Sequence, residues 1–147
     1  MPASPSESKI YFFFQGTKPA LQKRAELKGF VQSIFRSEKT KLGHLNYIFC
    51  TDKALLEINR EYLKHDYYTD IITFELSGKG QPVEADIFIS VDRVRDNARV
   101  HKSSFKSELH RVIFHGALHL CGYRDKSKPD QKAMREKEDL YLARYFK

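Results

Sequence analysis

The sequence predicts an α+β domain, α/β-like in character: a four-stranded mixed sheet with about five helices and a metal site at the end of a central helix. Two observations predict the architecture. Strand-like and helical patterns follow one another as βαβ, then a hairpin-like pair of strands, then helices alone. The strongest helical pattern, residues 104–121, is apolar enough to be central.

In chain order, "KIYFFFQG" is a first strand, because Tyr, Phe and Ile favour a pleated surface and Gly16 ends the run. From Pro19 to Ser37 the residues Leu21, Ala25, Leu27, Phe30, Val31, Ile34 and Phe35 recur at helical spacing above a basic outer face. Gly43 breaks the chain, and "HLNYIFC" alternates as a second strand. Thr51 and Asp52 can cap a helix over Lys53–Lys64 whose inner face carries Leu55, Leu56, Ile58, Asn59 and Tyr62. "DIITFEL" and "ADIFISV" are strands joined by the polar loop "SGKGQPVE", and Ser90 or Asp92 can cap a short helix running toward His101. From Ser104 to Cys121, Leu109, Val112, Ile113, Gly116, Ala117 and Leu120 mark the central helix, with Gly122 placed to end it in a left-handed conformation. A last, charged helix starts near Pro129.

The 147 residues suit one domain, 1–147, with the Pro- and Ser-rich residues 1–9 as a flexible N-terminal segment. No apolar run approaches the roughly 20 residues of a membrane span, and no secretory h-region follows the first residues, so a cytoplasmic protein with no membrane partner is expected. Cys50 and Cys121 match no disulfide or metal pair and are read as reduced core thiols. The excess of 26 Lys and Arg over 19 Asp and Glu, net +7, favours a polyanionic partner, nucleic acid first.

The chemistry concentrates in "HGALHLCGYRD", residues 115–125. Residues four apart on a helix differ by about 40° in direction, so His115 and His119 share a face one turn apart. With Leu109 at 0°, they fall near about 240° and 280°, at the edge of the core face, where a cleft can form. Gly122 lets the chain turn back and carry Asp125 toward both rings. Two imidazoles and a carboxylate form a reasonable zinc set with a fourth position left open, the arrangement of a catalytic rather than a structural site. The spacing parallels the extended metzincin pattern, but Gly116 stands where zinc peptidases carry their glutamate base, which demotes a peptidase and frees space beside the metal.

The same residues carry a family resemblance. "HGALHLCGY" resembles the H-G-x-L-H-L-x-G-Y-[DE]-H signature of the YbeY family, single-domain metal-dependent endoribonucleases of rRNA maturation. "LNREYLKHDYYTDIITF" resembles that family's asparagine-to-TDVLSF block, with Asn59, Thr69, Asp70, Thr73 and Phe74 at matching positions. "ADIFIS" is similar to its GDI-IS strand and "AMREKE" to its MR-KE helix start, so that residues 45–142 are covered. The resemblance implies a zinc ion on His115 and His119, with a third ligand at position 125. There this chain has Asp125 for the family's histidine, preceded by Arg124 for its usual acid. A carboxylate adds one negative charge and should make a bound water somewhat less acidic. The arginine usual four residues after the asparagine is Leu63 here, and its role could pass to Arg60, Lys64 or His65, or be lost. Each of these three is otherwise a solvated helix-end charge.

Among other polar residues, Asp70 and Asp86 read first as local backbone acceptors or caps, Glu108 as a solvated helix residue rather than a support for the histidines, and Thr69 and Ser90 as turn or cap groups. Tyr67 and Tyr68 could stack unpaired bases or lie in the core. The leading expectation is a zinc-dependent single-strand endoribonuclease acting on rRNA, with ribosomes or ribosome-assembly factors as partners and no side chain assigned as general base. The alternatives are a zinc hydrolase of peptide-like substrates and a non-catalytic ribosome-assembly protein that binds RNA around a structural zinc.

Overall fold

A computed structural model describes residues 9–147, so the flexible segment expected over residues 1–9 falls, apart from Lys9, outside the described residues. The order is β1 Ile10–Phe14, α1 Arg24–Ser37, β2 Leu42–Cys50, α2 Asp52–Leu63, β3 Ile71–Glu75, β4 Val83–Ser90, α3 Val91–Val100, α4 Phe105–Leu120 and α5 Lys128–Tyr145. The sheet runs β1-β2-β4-β3, with β1, β2 and β4 parallel and β3 antiparallel to β4. It is therefore mixed, and with five helices among the described residues the class is α+β.

Strand alternation divides the core between the two faces. Leu45, Tyr47 and Phe49 of β2 and Ala85, Ile87 and Ile89 of β4 point to one side, where α1, α4 and α5 cover them in the main core. On the other side Cys50 and Ile72 meet Leu55 of α2 in a smaller cluster edged by Phe74 and Phe88. α4 is buried on most of its circumference and is the central helix; Tyr47, fully buried, donates its hydroxyl hydrogen to the Ile113 carbonyl at 2.8 Å. That bond satisfies a phenol that burial would otherwise penalise.

Three details depart from the sequence reading, and one choice that it left open is decided. α1 begins at Arg24, not Pro19, because Lys23 at its N-cap takes a left-handed conformation (φ 52°); Leu21 is nonetheless buried, from an extended segment. Gly43 lies inside β2 rather than breaking the chain before it. A Cβ there would stand 3.1 Å from the Val83 carbonyl oxygen, so glycine permits the close strand approach at the irregular register of Leu42 and His44. Tyr62 turns outward, 63% exposed, instead of joining the inner face of α2. Ser90, not Asp92, caps α3 by accepting from the Arg93 N–H; the Asp92 carboxylate accepts from the Asp52 N–H at 2.8 Å. Thr51 caps α2, Ser104 caps α4, and Ser127 caps α5 just ahead of Pro129.

Candidate metal centre

α4 ends as glycine dictates. Gly122 sits at φ +105°, and the N–H groups of Gly122 and Tyr123 close back on the carbonyls of His119 and Leu118, each at 3.1 Å. The chain then doubles back and brings Asp125 Oδ2 to 3.2 Å from His115 Nε2.

Each imidazole is oriented through its other nitrogen. His115 Nδ1 lies 2.6 Å from Glu138 Oε2, and His119 Nδ1 lies 3.2 Å from the Tyr123 carbonyl oxygen. A carboxylate and a carbonyl only accept, so both rings donate from Nδ1 and, when neutral, carry their lone pair on Nε2. That tautomer is the one a metal-binding histidine adopts when a carboxylate or carbonyl holds its far nitrogen. Glu138 is buried on α5, and its other oxygen accepts from Arg111 Nη1 at 2.9 Å, while Arg111 Nη2 reaches Asp139 at 2.6 Å. Burial alone would lower the pKa of His115, but the Glu138 hydrogen bond and the charges of Glu138, Asp125 and Asp70 outweigh it and raise it. The surroundings of that ring favour a cation, whether a proton or a metal ion.

Among the described residues, no three His, Cys, Asp or Glu side chains are so arranged as to hold a metal ion. His115 and Asp125 meet across a cleft of about 430 Å³, whereas His119 is exposed and shares with Asp125 a second hollow bounded by Tyr123, Arg124 and Lys126. Asp125 lines both. His115, His119 and Asp125 are nonetheless donors of the types zinc takes: two imidazoles held by Nδ1 and a carboxylate on the turn that follows them. The thiols are poor ligands by comparison, since burial pushes both Cys50 and Cys121 up to about 11.

The cleft is also lined by Asp70, Glu108, Arg111, Arg135 and Glu138. Asp70 accepts from Asn97 Nδ2 at 3.4 Å, and burial raises its carboxyl above the ordinary range. Asp86 lies on the opposite sheet face, accepting from Asn46 Nδ2 at 3.0 Å, and neither aspartate caps a helix. Glu108 is buried, not solvated: the start of α4 packs against α3, leaving its Oε1 3.5 Å from Ser103 Oγ and 3.6 Å from His101 Nδ1. Thr69 lines the cleft, its hydroxyl 3.4 Å from the Ile71 carbonyl, and Ser90 is the α3 cap.

Gly116 corrects a more important expectation. Its missing side chain faces the sheet, where a Cβ would stand 3.0 Å from Ile87 Cδ1 and 3.1 Å from Ile71 Cδ1. Glycine lets α4 lie close on the sheet there; it does not free space beside a metal, and a glutamate at that position would be driven toward Ile71 and Ile87.

None of Arg60, Lys64 and His65 lines the cleft. Arg60 pairs with Asp66, Lys64 is the left-handed C-cap of α2, and His65 stacks on Tyr67. Leu63, at the position of the arginine, is 40% exposed. Tyr67 and Tyr68 are exposed rather than in the core, and buried Asn59 fastens their loop by donating to the Tyr67 carbonyl at 2.9 Å. The groups that sequence reasoning missed are Glu138, Arg111 and Arg135. Two of them were within sight, since Arg135 and Glu138 belong to "AMREKE".

Residues 15–146 match the family model described as Endoribonuclease YbeY. A protein of that name from Cytophaga hutchinsonii is 50% identical over 137 residues, 93% of this chain and 96% of its own length. One from Flavobacterium psychrophilum is 52% identical over 112 residues, 76% of this chain and 79% of its own. A solution structure of a Thermotoga maritima protein superposes with a TM-score of 0.65 at 27% identity, covering 93% of this chain and 89% of that one.

Proposed function

This chain belongs to the YbeY endoribonuclease family, and on that premise we propose that it is a zinc-dependent endoribonuclease that cuts single-stranded RNA in rRNA maturation, at or near the ribosome, in the cytoplasm. The observation that carries the metal reading is the pair of rings held by Nδ1, His115 on Glu138 and His119 on the Tyr123 carbonyl. His115, His119 and Asp125 would hold the ion. When bound, zinc polarises a phosphoryl oxygen and makes water a nucleophile at neutral pH.

The remaining work falls to side chains of the cleft. Glu138 holds His115 in register, and Arg111 holds Glu138. Asp70, with a carboxyl raised by burial, can take a proton at a carboxylate oxygen from an attacking group. Arg135 lines the same cleft with no carboxylate partner among the described residues, and it can hold a phosphate and offset the charge that develops on it. It supplies the cation that Leu63 does not.

Elemental analysis of wild type and His119→Ala, purified without a metal-binding tag, is the first test. About one zinc per chain in wild type, lost in the variant, together with chelator-sensitive cleavage of unstructured RNA, is expected. Cleavage that persists unchanged in chelator would refute the zinc reading.

A further inference from the structure

Another cavity, of about 470 Å³, lies between the end of α1 and the start of β2. Lys9, Arg36, Lys39 and Lys41 line it over a floor that includes Phe35 and Leu42, and among the described residues no carboxylate is in its walls. Among the described residues none of the four cations forms an ion pair. The one acid of the loop, Glu38, is committed elsewhere: it accepts from Tyr123 Oη at 2.8 Å, from Lys137 Nζ at 3.2 Å and from Tyr141 Oη. Lys9 is not loose either, since its Nζ donates to the Leu42 carbonyl at 3.0 Å.

The cavity is fastened to the turn that carries Asp125. Glu38, between Arg36 and Lys39 of the cavity, makes the tie through its bond to Tyr123. Tyr123 itself lines the hollow of His119, Arg124, Asp125 and Lys126. Arg124 and Lys126 add two more cations to that hollow, beside Asp125. Four unpaired cations gathered around a concave, acid-free surface recognise a polyanion rather than a neutral or acidic group. Resting on the endoribonuclease reading for the identity of the strand, we propose that this cavity is a phosphate-binding subsite that holds the RNA backbone beyond the cleft.

Fluorescence anisotropy with a labelled oligouridylate of about 12 nucleotides tests this, in chelator so that the strand stays intact. Full-length wild type is compared with Arg36→Gln/Lys41→Gln and with the charge-keeping Arg36→Lys/Lys41→Arg. For a single strand each lost phosphate contact removes about 0.7 from the slope of log affinity against log salt. The glutamine variant should therefore lose about 1.4 in slope and bind about 25-fold more weakly at about 0.1 M salt, while the charge-keeping variant should follow wild type. Unchanged affinity and slope in the glutamine variant, alongside intact binding by wild type, would overturn the subsite even if the enzyme cuts RNA. Loss of binding in that variant, in a wild type that never cuts RNA with metal present, would uphold the subsite and count against the nuclease instead. If the glutamine variant loses polyglutamate binding but keeps RNA, the cavity serves an acidic protein and the proposal fails.

Discussion

Glu138→Gln separates the orientation of His115 from the supply of ligands. The substitution keeps the shape of the side chain and removes the charge that accepts from His115 Nδ1 at 2.6 Å and from Arg111 Nη1 at 2.9 Å. A hydrogen bond to a charged partner contributes about 1.5–3 kcal/mol. Arg111 keeps Asp139 at 2.6 Å, and the amide oxygen can still accept from one of its two former donors, so a stability loss of about 1–2 kcal/mol is expected. For a chain of this size that is about 2–8 °C in melting temperature, measured on metal-free protein. If Glu138 fixes the ring for zinc, affinity should fall about 10–100-fold, read by competition against a chromogenic chelator. The comparison that decides is with Arg111→Met, which leaves the Glu138–His115 contact in place. That variant should lose comparable stability with a smaller loss of zinc. Equal zinc affinity in wild type and Glu138→Gln would refute the orienting role, whatever happened to the melting temperature.

Gly29→Ala should stabilise the protein by about 0.5–1 kcal/mol in a urea titration, because its Cβ would meet nothing within 4 Å; Gly116→Ala should fall at least about 1 kcal/mol short of that gain because of Ile87 and Ile71. Equal effects at the two positions would remove the packing explanation for Gly116. Lys102→Gly should raise stability by about 0.5–1 kcal/mol, since Lys102 holds φ 55° just past α3, where glycine is at ease; a drop would show that the lysine side chain matters more than its backbone. Burial lowers the pKa of His110 in the folded state, so the unfolded chain takes up the extra proton, and the contribution of this residue to stability decreases as pH falls below about 6.5. Urea midpoints at several pH values should therefore show a shallower acid decline in His110→Phe than in wild type, and parallel curves would contradict the assignment.

Much of this fold could be read from periodicity because each element carries a pattern of its own. The apolar rows of α4 and the alternation of β2 and β4 leave few options, and Ser or Thr at the helix starts supplies the caps. What the pattern could not show is backbone conformation against residue preference. Lys23 in a left-handed conformation delays α1, and Gly43 sits inside a strand because of the Val83 carbonyl across from it, a contact 40 residues away in sequence. The candidate site divides in the same way. His115, His119 and Asp125 lie within one helix and its closing turn, so local spacing sufficed to find them. Glu138, Arg111 and Arg135 acquire their meaning only when α5 packs beside α4, which no local spacing encodes.

That division has a consequence for how metal and fold are coupled. Both imidazoles ride on the most deeply buried helix, but the groups that set their tautomers come from different places: a buried carboxylate on α5 for His115, and a backbone carbonyl of the closing turn for His119. His115 is consequently oriented by tertiary packing, while His119 depends on the turn made by Gly122 and tied down through Tyr123 to Glu38. Loosening that turn should weaken the His119 and Asp125 side of the site while leaving His115 in place. An ion held as proposed above would thus meet one ring already fixed in the wall of the cleft and an exposed ring and carboxylate whose placement depends on the turn.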